Sequence, residues 1–417
     1  MRVLHLTAEL PHWPGGMGGA TRQFHLLRRL VELGHEVKVV APVPAGRDDL
    51  RETLASAGIG LEGPTRPSSR VRETLGVIAA APSLLARAVS LPVLAWQVSV
   101  FWELLRPIAQ RTVAGWRPDV ILIEHDNSAA WVADLPAGIP TVLVFQNVGP
   151  AYYGSRAAAS GGPARAAFRF EAERFRRLHR RWLGRYARLV AVSEPDRREL
   201  ERLPGAPPVE VVPNGVASDE LRALPPSVEP ATLLFTGTLS HPPNSAGIRW
   251  LADEVWPRIL SALPEAKLLV VGRDPPEGVL GLGARQGIEV VGPVPEMAPY
   301  FARASAVVVP LLSGGGTRLK IPEALACERA VVSTRVGCEG LDLEDGKELL
   351  MADGAERFAA AVLRVLEDAP LRERLATAGR EQAQRRYDWR VLGDRLEAVL
   401  GDVTCRCRPG ATGGATR

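Results

Sequence analysis

Glycine and charged residues that could hold a diphosphate are concentrated near position 315 of the chain. An apolar run, residues 306–312, leads into glycines, two cations and a predicted helix that begins near Pro322, and the residues with candidate roles are Gly315, Gly316, Thr317, Arg318, Lys320 and Glu323. Glycines let the backbone approach a ligand, and N–H groups at a helix start point at an anion. The two cations would hold a diphosphate, and Glu323 could accept hydrogen bonds from ribose hydroxyls. The alternative is a glycine-rich strand–helix turn whose charges are solvated.

A second glycine-rich loop lies near the N-terminus, where Gly15, Gly16, Gly18 and Gly19 precede a predicted helix over residues 20–33. A dinucleotide-binding site has a similar turn, with glycines directly after the strand and an acidic residue at the end of the next strand. Here a long insertion separates strand from glycines, and the predicted strand 36–41 runs on without a terminal carboxylate. The pattern therefore argues against a NAD-dependent dehydrogenase.

Candidate acid–base residues follow the predicted strand 120–124, whose end reads Glu124, His125, Asp126. Residues at the carboxyl ends of parallel strands line the ligand crevice of open α/β sheets, and histidine is the usual proton-transfer group near neutral pH. We therefore name His125 and Asp126 as candidate catalytic residues, with Glu9 and His12 as further candidates. The alternative is a polar residue that is satisfied at a strand end.

The elements that would position these residues alternate between apolar strands and amphipathic helices, which predicts an α/β fold with parallel sheets. The strand candidates are residues 2–7, 36–41, 120–124, 141–145, 189–192 and 209–212, then 232–236, 267–271, 288–291, 306–311 and 330–333. A Pro-rich, acidic segment, 216–230, separates the two groups. At 417 residues the chain is long enough for two cores. We predict two doubly wound Rossmann-like domains facing a central cleft, 1–217 and 218–386, followed by a last segment, 387–400, and a disordered tail at 401–417.

The segment around Glu323 resembles the donor-site segment of the GT-B glycosyltransferases of family 4. Glu323 is followed by Ala-Leu-Ala-Cys and then by a Val-Val-Ser strand, as in the second half of the family pattern. Further likenesses occur in family order: Val212-Pro213-Asn214-Gly215-Val216, Thr236-Gly237-Thr238 and Val291-Gly292-Pro293-Val294. Residues 387–400 resemble the closing crossover helix of GT-B proteins, which returns to the first domain. The chain also departs from the family pattern at three places. Gly315 replaces the family's first glutamate, and Asn244 occupies roughly the place of the family's usual lysine. Gln146 and Asn147 stand where many members have a histidine.

The resemblance implies a hexosyl-type glycosyltransferase (EC 2.4) that is retaining and metal-independent. It would move a sugar from a nucleotide-diphosphate sugar, with UDP or GDP expected, to a hydroxyl of a glycan or lipid-linked acceptor in surface polysaccharide or glycolipid synthesis. Neither a cofactor nor a metal is expected. The implied donor site adds Gly16, Gly237, Thr238, Arg273 and Gly292 to the residues named above. Two alternatives stay open: a GT-B nucleotide-sugar epimerase or hydrolase, and a non-catalytic nucleotide-sugar-binding relative.

Composition constrains partners and location. The formal net charge of +4 is small for this length, so we expect no nucleic-acid partner. The four cysteines form no credible disulfide framework and the first strand begins at once, which indicates a cytoplasmic protein. The apolar segment 84–105 is interrupted by charged residues and does not read as a spanning helix. Two interpretations stay open for this segment and for the Arg-rich segment 164–188. They are either helices packed in the first domain or surfaces that contact the inner face of a membrane or an acidic glycan.

Overall fold

The computed structural model describes residues 1–13, 18–66, 91–158, 160–221, 229–313 and 318–406. Four predicted site residues, Gly16, Gly315, Gly316 and Thr317, lie outside these ranges, as do residues 84–90 and 407–417. The chain divides into two compact units, Met1–Pro213 with Leu392–Arg417 and Asn214–Val391. The domain boundaries given above stay predictions beside this division.

The first unit contains a parallel seven-stranded sheet with the order β4-β2-β1-β6-β7-β8-β9 and a separate pair, β3 and β5. Its strands are β1 Arg2–Leu6, β2 Glu36–Val40, β3 Val43–Pro44, β4 Ile59–Glu62, β5 Thr65–Arg66, β6 Val120–Glu124, β7 Thr141–Val144, β8 Arg188–Ala191 and β9 Val209–Val211. Its described helices are α1 Gly18–Glu32, α2 Asp49–Ser56, α3 Val93–Trp116, α4 Gly149–Ala158, α5 Gly162–Trp182 and α6 Glu194–Glu201, with 3-10 turns at Asp126–Asp134 and Leu183–Arg185.

The core of this unit follows from its strand sequences, because β6, β7 and β8 are buried at every position. A parallel sheet covered on both faces requires such continuous apolar runs. Helix α3 packs Trp102 onto Trp131 with ring centroids 4.6 Å apart, and the Trp102 indole N–H donates to Asp134 at 2.7 Å. Helix α5 contributes Phe175, which is stacked on Tyr153 of α4. The carboxyl ends of β1, β6 and β7 are thereby held side by side.

The second unit contains a parallel six-stranded sheet with the order β12-β11-β10-β13-β14-β15. Its strands are β10 Thr232–Thr236, β11 Lys267–Val271, β12 Ile288–Gly292, β13 Ala306–Val309, β14 Ala330–Ser333 and β15 Leu350–Met351. Its described helices are α7 Pro242–Trp250, α8 Trp256–Ala262, α9 Glu277–Leu280, α10 Ala298–Arg303, α11 Lys320–Ala326, α12 Ala355–Glu367 and α13 Ala369–Gln382, with π turns at Leu251–Val255 and Ala383–Tyr387 and a 3-10 turn at Gly281–Ala284. The last helix, α14 Trp389–Arg406, follows.

The predicted α/β class is confirmed, because both large sheets are parallel and carry helices. The structure differs from the prediction at the C-terminus, where residues 401–406 belong to α14 and are not disordered. Apolar positions Leu396, Leu400 and Val403 are buried along this helix, which explains why it continues past residue 400. Within the described part of the chain, every helix is too short or too polar to cross a membrane.

Candidate active-site residues in each unit

Three strand ends meet closely at one edge of the second unit's sheet. The Gly237 N–H donates to the Val271 carbonyl at 3.1 Å, and the Gly272 N–H donates to the Gly292 carbonyl at 2.9 Å. A Cβ atom on Gly272 would overlap the Gly237 carbonyl oxygen, so this approach of two backbones requires glycine. Gly292 has φ +81°, and no heavy atom lies within 4 Å of its hypothetical Cβ. The loops after β10, β11 and β12 therefore form one continuous backbone surface.

A buried lysine lies against this surface. The Lys320 ammonium donates to Asn244 Oδ1 at 2.9 Å and lies 4.3 Å from the centroid of the Phe235 ring. The Asn244 amide in turn donates to the Thr238 carbonyl at 2.8 Å. Gly237 has φ +146°, and its hypothetical Cβ would stand 2.9 Å from Asn244 Nδ2 and 3.1 Å from Lys320 Nζ. The structure thus brings together Gly237, Thr238 and Lys320, with Asn244 as the residue that links them.

Burial shifts the pKa values of two charged groups at this cluster, Lys320 and Glu323. Burial lowers the pKa of Lys320 to about 7; the charge of Arg318 contributes and Glu323 opposes it. Burial also raises the pKa of the Glu323 carboxyl, against the charge of Lys320. A bound anion would favour the ammonium form of Lys320, which burial disfavours in the free protein. Perturbed groups of this kind at a sheet edge are typical of functional sites.

Two further donor candidates are arginines. Arg273 contributes its carbonyl, which accepts from the Leu239 N–H at 2.8 Å, whereas its side chain is exposed. Arg318 is partly buried, two residues before Lys320. Asn244 was identified from the sequence only as a departure from the family pattern. The sequence signal for its role is its place in the first turn of α7, directly after the glycine loop.

In the first unit, the ends of β1, β6 and β7 bring carboxylates, an imidazole and an amide together. Glu9 Oε2 lies 3.5 Å from His125 Nε2, and the Gln146 amide donates to Glu124 Oε1 at 2.8 Å. A Cβ on Gly19, in the first turn of α1, would overlap Gln146 Oε1 and stand 2.8 Å from Glu9 Oε2, so the ends of both side chains would have to move. Glu9 was a further candidate from the sequence, whereas Glu124 and Gln146 were not proposed as catalytic, although Glu124 ends and Gln146 follows a predicted strand.

Asp126, predicted to be catalytic, makes contacts that hold helices α4 and α5 in place. Its Oδ2 atom accepts from the Gly149 N–H at 2.8 Å, at the start of α4, and lies 3.2 Å from Nε2 of the buried His179. His12, another candidate, is held by its own turn, because Nδ1 contacts the Leu10 carbonyl at 2.9 Å. The structure thus brings His125 together with Glu9 and leaves Asp126 beneath them; a catalytic role for His125 or Asp126 stays a prediction.

Among the residues that the structure describes, no group of three or more His, Cys, Asp or Glu side chains is arranged to hold a metal ion.

Comparison with known proteins relates both units to one class of enzyme. Residues 17–220 match the family described as Glycosyltransferase Family 4, and residues 230–368 match the family described as Glycosyl transferases group 1. The phosphatidyl-myo-inositol mannosyltransferase of Mycolicibacterium smegmatis is 31% identical over 241 residues, which span 55% of this chain and 60% of that protein. The glycogen synthase of Mycobacterium tuberculosis is 27% identical over 421 aligned positions, which span 96% and 94%.

Solved structures agree on the fold. Sucrose-phosphate synthase from Thermosynechococcus elongatus superposes with a TM-score of 0.70 at 17% identity, covering 97% of this chain and all of that one. Anabaena Alr3699/HepE in complex with UDP gives 0.68 at 14% identity, covering 96% and 100%. With two parallel α/β units and family matches that run through both, the chain belongs to the family 4 glycosyltransferases of GT-B fold, the class of enzymes that transfer hexosyl groups (EC 2.4).

Proposed function

We propose that the protein transfers a sugar from a UDP- or GDP-sugar to a hydroxyl of a glycan or lipid-linked acceptor, with retention of anomeric configuration and without a metal ion. The observation that carries this proposal is the Lys320 cluster. A buried ammonium, an asparagine amide and a glycine with positive φ at one sheet edge are suited to a diphosphate. The basic side chain would neutralise the leaving diphosphate and so take the place of a cation.

The comparisons support this substrate class without fixing its members. The Anabaena neighbour was crystallised with UDP. The mannosyltransferase relative is named for a lipid substrate, and the glycogen synthase relative is named for a glycan product. We therefore extend to this chain the shared chemistry, a nucleotide-sugar donor and a hydroxyl acceptor, and place it in surface polysaccharide or glycolipid synthesis.

The test of the donor site is a thermal-shift and calorimetry screen with UDP, GDP, ADP and CMP. A ligand that binds only the folded state raises the melting temperature by mass action. We expect one nucleoside diphosphate to bind, and we expect Lys320→Met to weaken that binding by about tenfold or more, as for loss of a charge-assisted hydrogen bond. Lys347→Met is the matched control, because this lysine is 57% exposed and lies in the same unit. Equal affinity in wild type and Lys320→Met would reject the site.

Incubation with the binding nucleotide-sugar then separates the reaction classes. NMR of the product of acceptor transfer gives the anomeric configuration, and an EDTA-treated sample tests the metal independence. Inversion, or activity that returns only with added metal, would contradict the corresponding part of the proposal. Turnover of donor without acceptor would favour an epimerase or hydrolase. A donor that binds and is never consumed would favour a binding relative.

We further propose that the first unit meets an anionic membrane surface as a peripheral protein. Helix α5 carries seven arginines and two glutamates, and its Phe170 is 55% exposed. Glu171 Oε2 accepts from the Val93 N–H at 2.9 Å, which brings the exposed Val93 and Leu94 close to Phe170. An apolar group beside a cationic helix face is the composition of interfacial membrane contacts.

Co-sedimentation with lipid vesicles tests this surface. We expect binding to vesicles that contain phosphatidylglycerol and much weaker binding to pure phosphatidylcholine. The double variant Leu94→Ser, Phe170→Ser should lose most of that binding. Leu280→Ser, which changes a 51% exposed leucine of the second unit, should keep it. Equal loss in both variants, or equal binding to neutral vesicles, would contradict the proposal.

A further inference from the structure

The pair formed by Glu9 and His125 is built by two neighbouring strands. Strands β1 and β6 are paired in parallel with Leu6 opposite Ile123, so the residues that follow them emerge at the same sheet edge. There Glu9 Oε2 lies 3.5 Å from His125 Nε2. The two side chains are 29% and 26% exposed, respectively, so a substrate could reach them while the backbones beneath stay buried.

Both backbones are held in place. The Thr7 hydroxyl accepts from the Glu9 N–H at 3.1 Å and donates to the Glu9 carbonyl at 2.9 Å, which closes a turn on the carboxylate's own residue. His125 has φ 69° and ψ 140°, a conformation that side-chain-bearing residues rarely adopt, and its N–H donates to the Val144 carbonyl at 2.9 Å. Such conformations are strained and concentrate at functional sites. The surrounding fold, and not the local backbone preference of histidine, therefore sets the orientation of the His125 ring.

The charges around the ring are predominantly negative. Glu9 faces it from the end of β1, Glu124 and Asp126 flank it in sequence, and the buried His5 of β1 lies near enough to affect it. Burial lowers the pKa of His125, but the hydrogen bond with Glu9 and the charges of Glu124, Glu9 and Asp126 outweigh it and raise the pKa above the ordinary value. Burial, the largest effect, lowers the pKa of His5, which therefore tends to be neutral.

We propose that Glu9 is a positioning residue that holds the His125 ring through Nε2 as an imidazolium, so that Nδ1–H donates to a hydroxyl oxygen of the sugar substrate. The inference rests on the proposed glycosyltransferase function and names the ligand chemistry of its first unit. The negative charges of Glu9, Glu124 and Asp126 disfavour a phosphate and suit an uncharged, hydroxyl-rich ligand. Of the three carboxylates, Glu9 is partly exposed and could accept from an O–H group of that ligand. A histidine acting as a general base is the opposite assignment, because a base would have to be neutral.

The first arm of the test is an NMR titration of the histidine rings in the ligand-free protein. The chain has seven histidines, and the His125 resonance is assigned by its loss in His125→Asn. We expect the His125 pKa to fall in Glu9→Gln and to stay unchanged in Glu52→Gln, which alters an exposed carboxylate of α2. If Glu9→Gln does not fold, Glu9→Asp keeps the charge while changing its distance. An unchanged His125 pKa in folded Glu9→Gln would overturn the dyad.

The second arm is the pH profile of kcat/KM for transfer. We expect kcat/KM of the wild type to fall as pH rises through the His125 pKa measured by NMR, and this falling limb to move to lower pH in Glu9→Gln. His125→Asn should lower kcat/KM by about 10- to 100-fold, as for loss of a hydrogen bond from a charged donor. A limb that rises through that pKa, or one that does not follow the NMR value in Glu9→Gln, overturns the donor role. Absence of any transfer would reject the proposed function, whereas the NMR arm still decides the dyad.

Discussion

Replacing Lys320 by methionine should remove a proton-linked component of nucleotide binding. Burial lowers the pKa of this lysine to about 7, with help from the charge of Arg318, so most molecules of the free protein carry a neutral amine at pH 8. A diphosphate oxygen favours the ammonium form, and binding above pH 7 must therefore be accompanied by proton uptake. One pH unit corresponds to about 1.4 kcal/mol for each linked proton.

The magnitude follows from that pKa. If the bound complex keeps the lysine charged, the dissociation constant is inversely proportional to the charged fraction of the free protein and rises by about 50-fold between pH 7 and pH 9. Proton uptake at pH 8 should be about 0.9 per nucleotide. Isothermal titration calorimetry in two buffers of different ionisation enthalpy measures both quantities. Lys320→Met should bind more weakly, with little uptake and a flat profile over this range, whereas Lys347→Met should follow the wild type.

Two results would refute this reasoning. A wild-type affinity that stays constant from pH 7 to pH 9 would mean that Lys320 is either charged throughout or remote from the phosphates. A Lys320→Met variant that keeps the wild-type slope would assign the linked proton to another group. A proton linked to another group, or a constant affinity that Lys320→Met leaves at the wild-type value, would make the cluster around Gly237 a packing feature of the sheet edge and not the diphosphate site. A constant affinity that Lys320→Met still lowers would instead mean that the lysine is already charged in the free protein.

Three further predictions concern positions that the backbone constrains. Gly237→Ala should abolish nucleotide binding and lower the free energy of unfolding by about 1–3 kcal/mol, since φ is +146° and the new methyl group meets the Asn244 and Lys320 side chains. The control is Gly281→Ala, which has open space around it. It should leave nucleotide binding unchanged and change the free energy of unfolding, measured by urea titration, by no more than about 0.5 kcal/mol. Asp126→Ala should lower the free energy of unfolding by about 1–3 kcal/mol, because it leaves a helix N–H and a buried imidazole without their acceptor; an unchanged urea midpoint would contradict this. Gly19→Ala should reduce transfer activity because its methyl group displaces the Gln146 and Glu9 side chains. The control is Gly115→Ala, in open space within α3, which should leave activity unchanged and raise the melting temperature slightly.

Most of the predicted strands are short apolar runs, and six of them, β6, β7, β8, β10, β13 and β14, are buried along their whole length. Every predicted strand has an observed counterpart, with ends that differ by at most two residues. The exceptions are informative: β4 (Ile59–Glu62) contains a glycine and a glutamate, and β15 has only two residues. Such edge strands are only partly buried and lack the continuous apolar signal. The disordered tail predicted at 401–417 was wrong for residues 401–406, where the buried Val403 continues the apolar positions of α14.

The candidate donor site was predictable in its residue types and less so in its contacts. Lys320 and Gly237 stand out as a rare lysine and a glycine after a strand. Their contact through Asn244 depends on how β10 and two helices are placed beside each other, which local spacing does not determine. Asp126 illustrates the same limit in the other direction. Its position after a strand fits a catalytic carboxylate, whereas its partners come from residues 149 and 179, far along the chain.

The two candidate sites have opposite electrostatic character, and this difference gives a joint consequence for pH. Burial lowers the pKa of the Lys320 amine to about 7, whereas the neighbouring carboxylates raise the pKa of the His125 imidazole against the effect of its burial. A basic site suits the nucleotide diphosphate, and a carboxylate-rich site suits an uncharged sugar. Both cations are lost as pH rises, so on the proposed assignments alkaline pH should weaken transfer through two separable limbs. The limb in nucleotide affinity should disappear in Lys320→Met, and the limb in kcat/KM for transfer should move in Glu9→Gln. Because each variant alters one limb and leaves the other, the pair of measurements assigns each proton to its own unit of the chain.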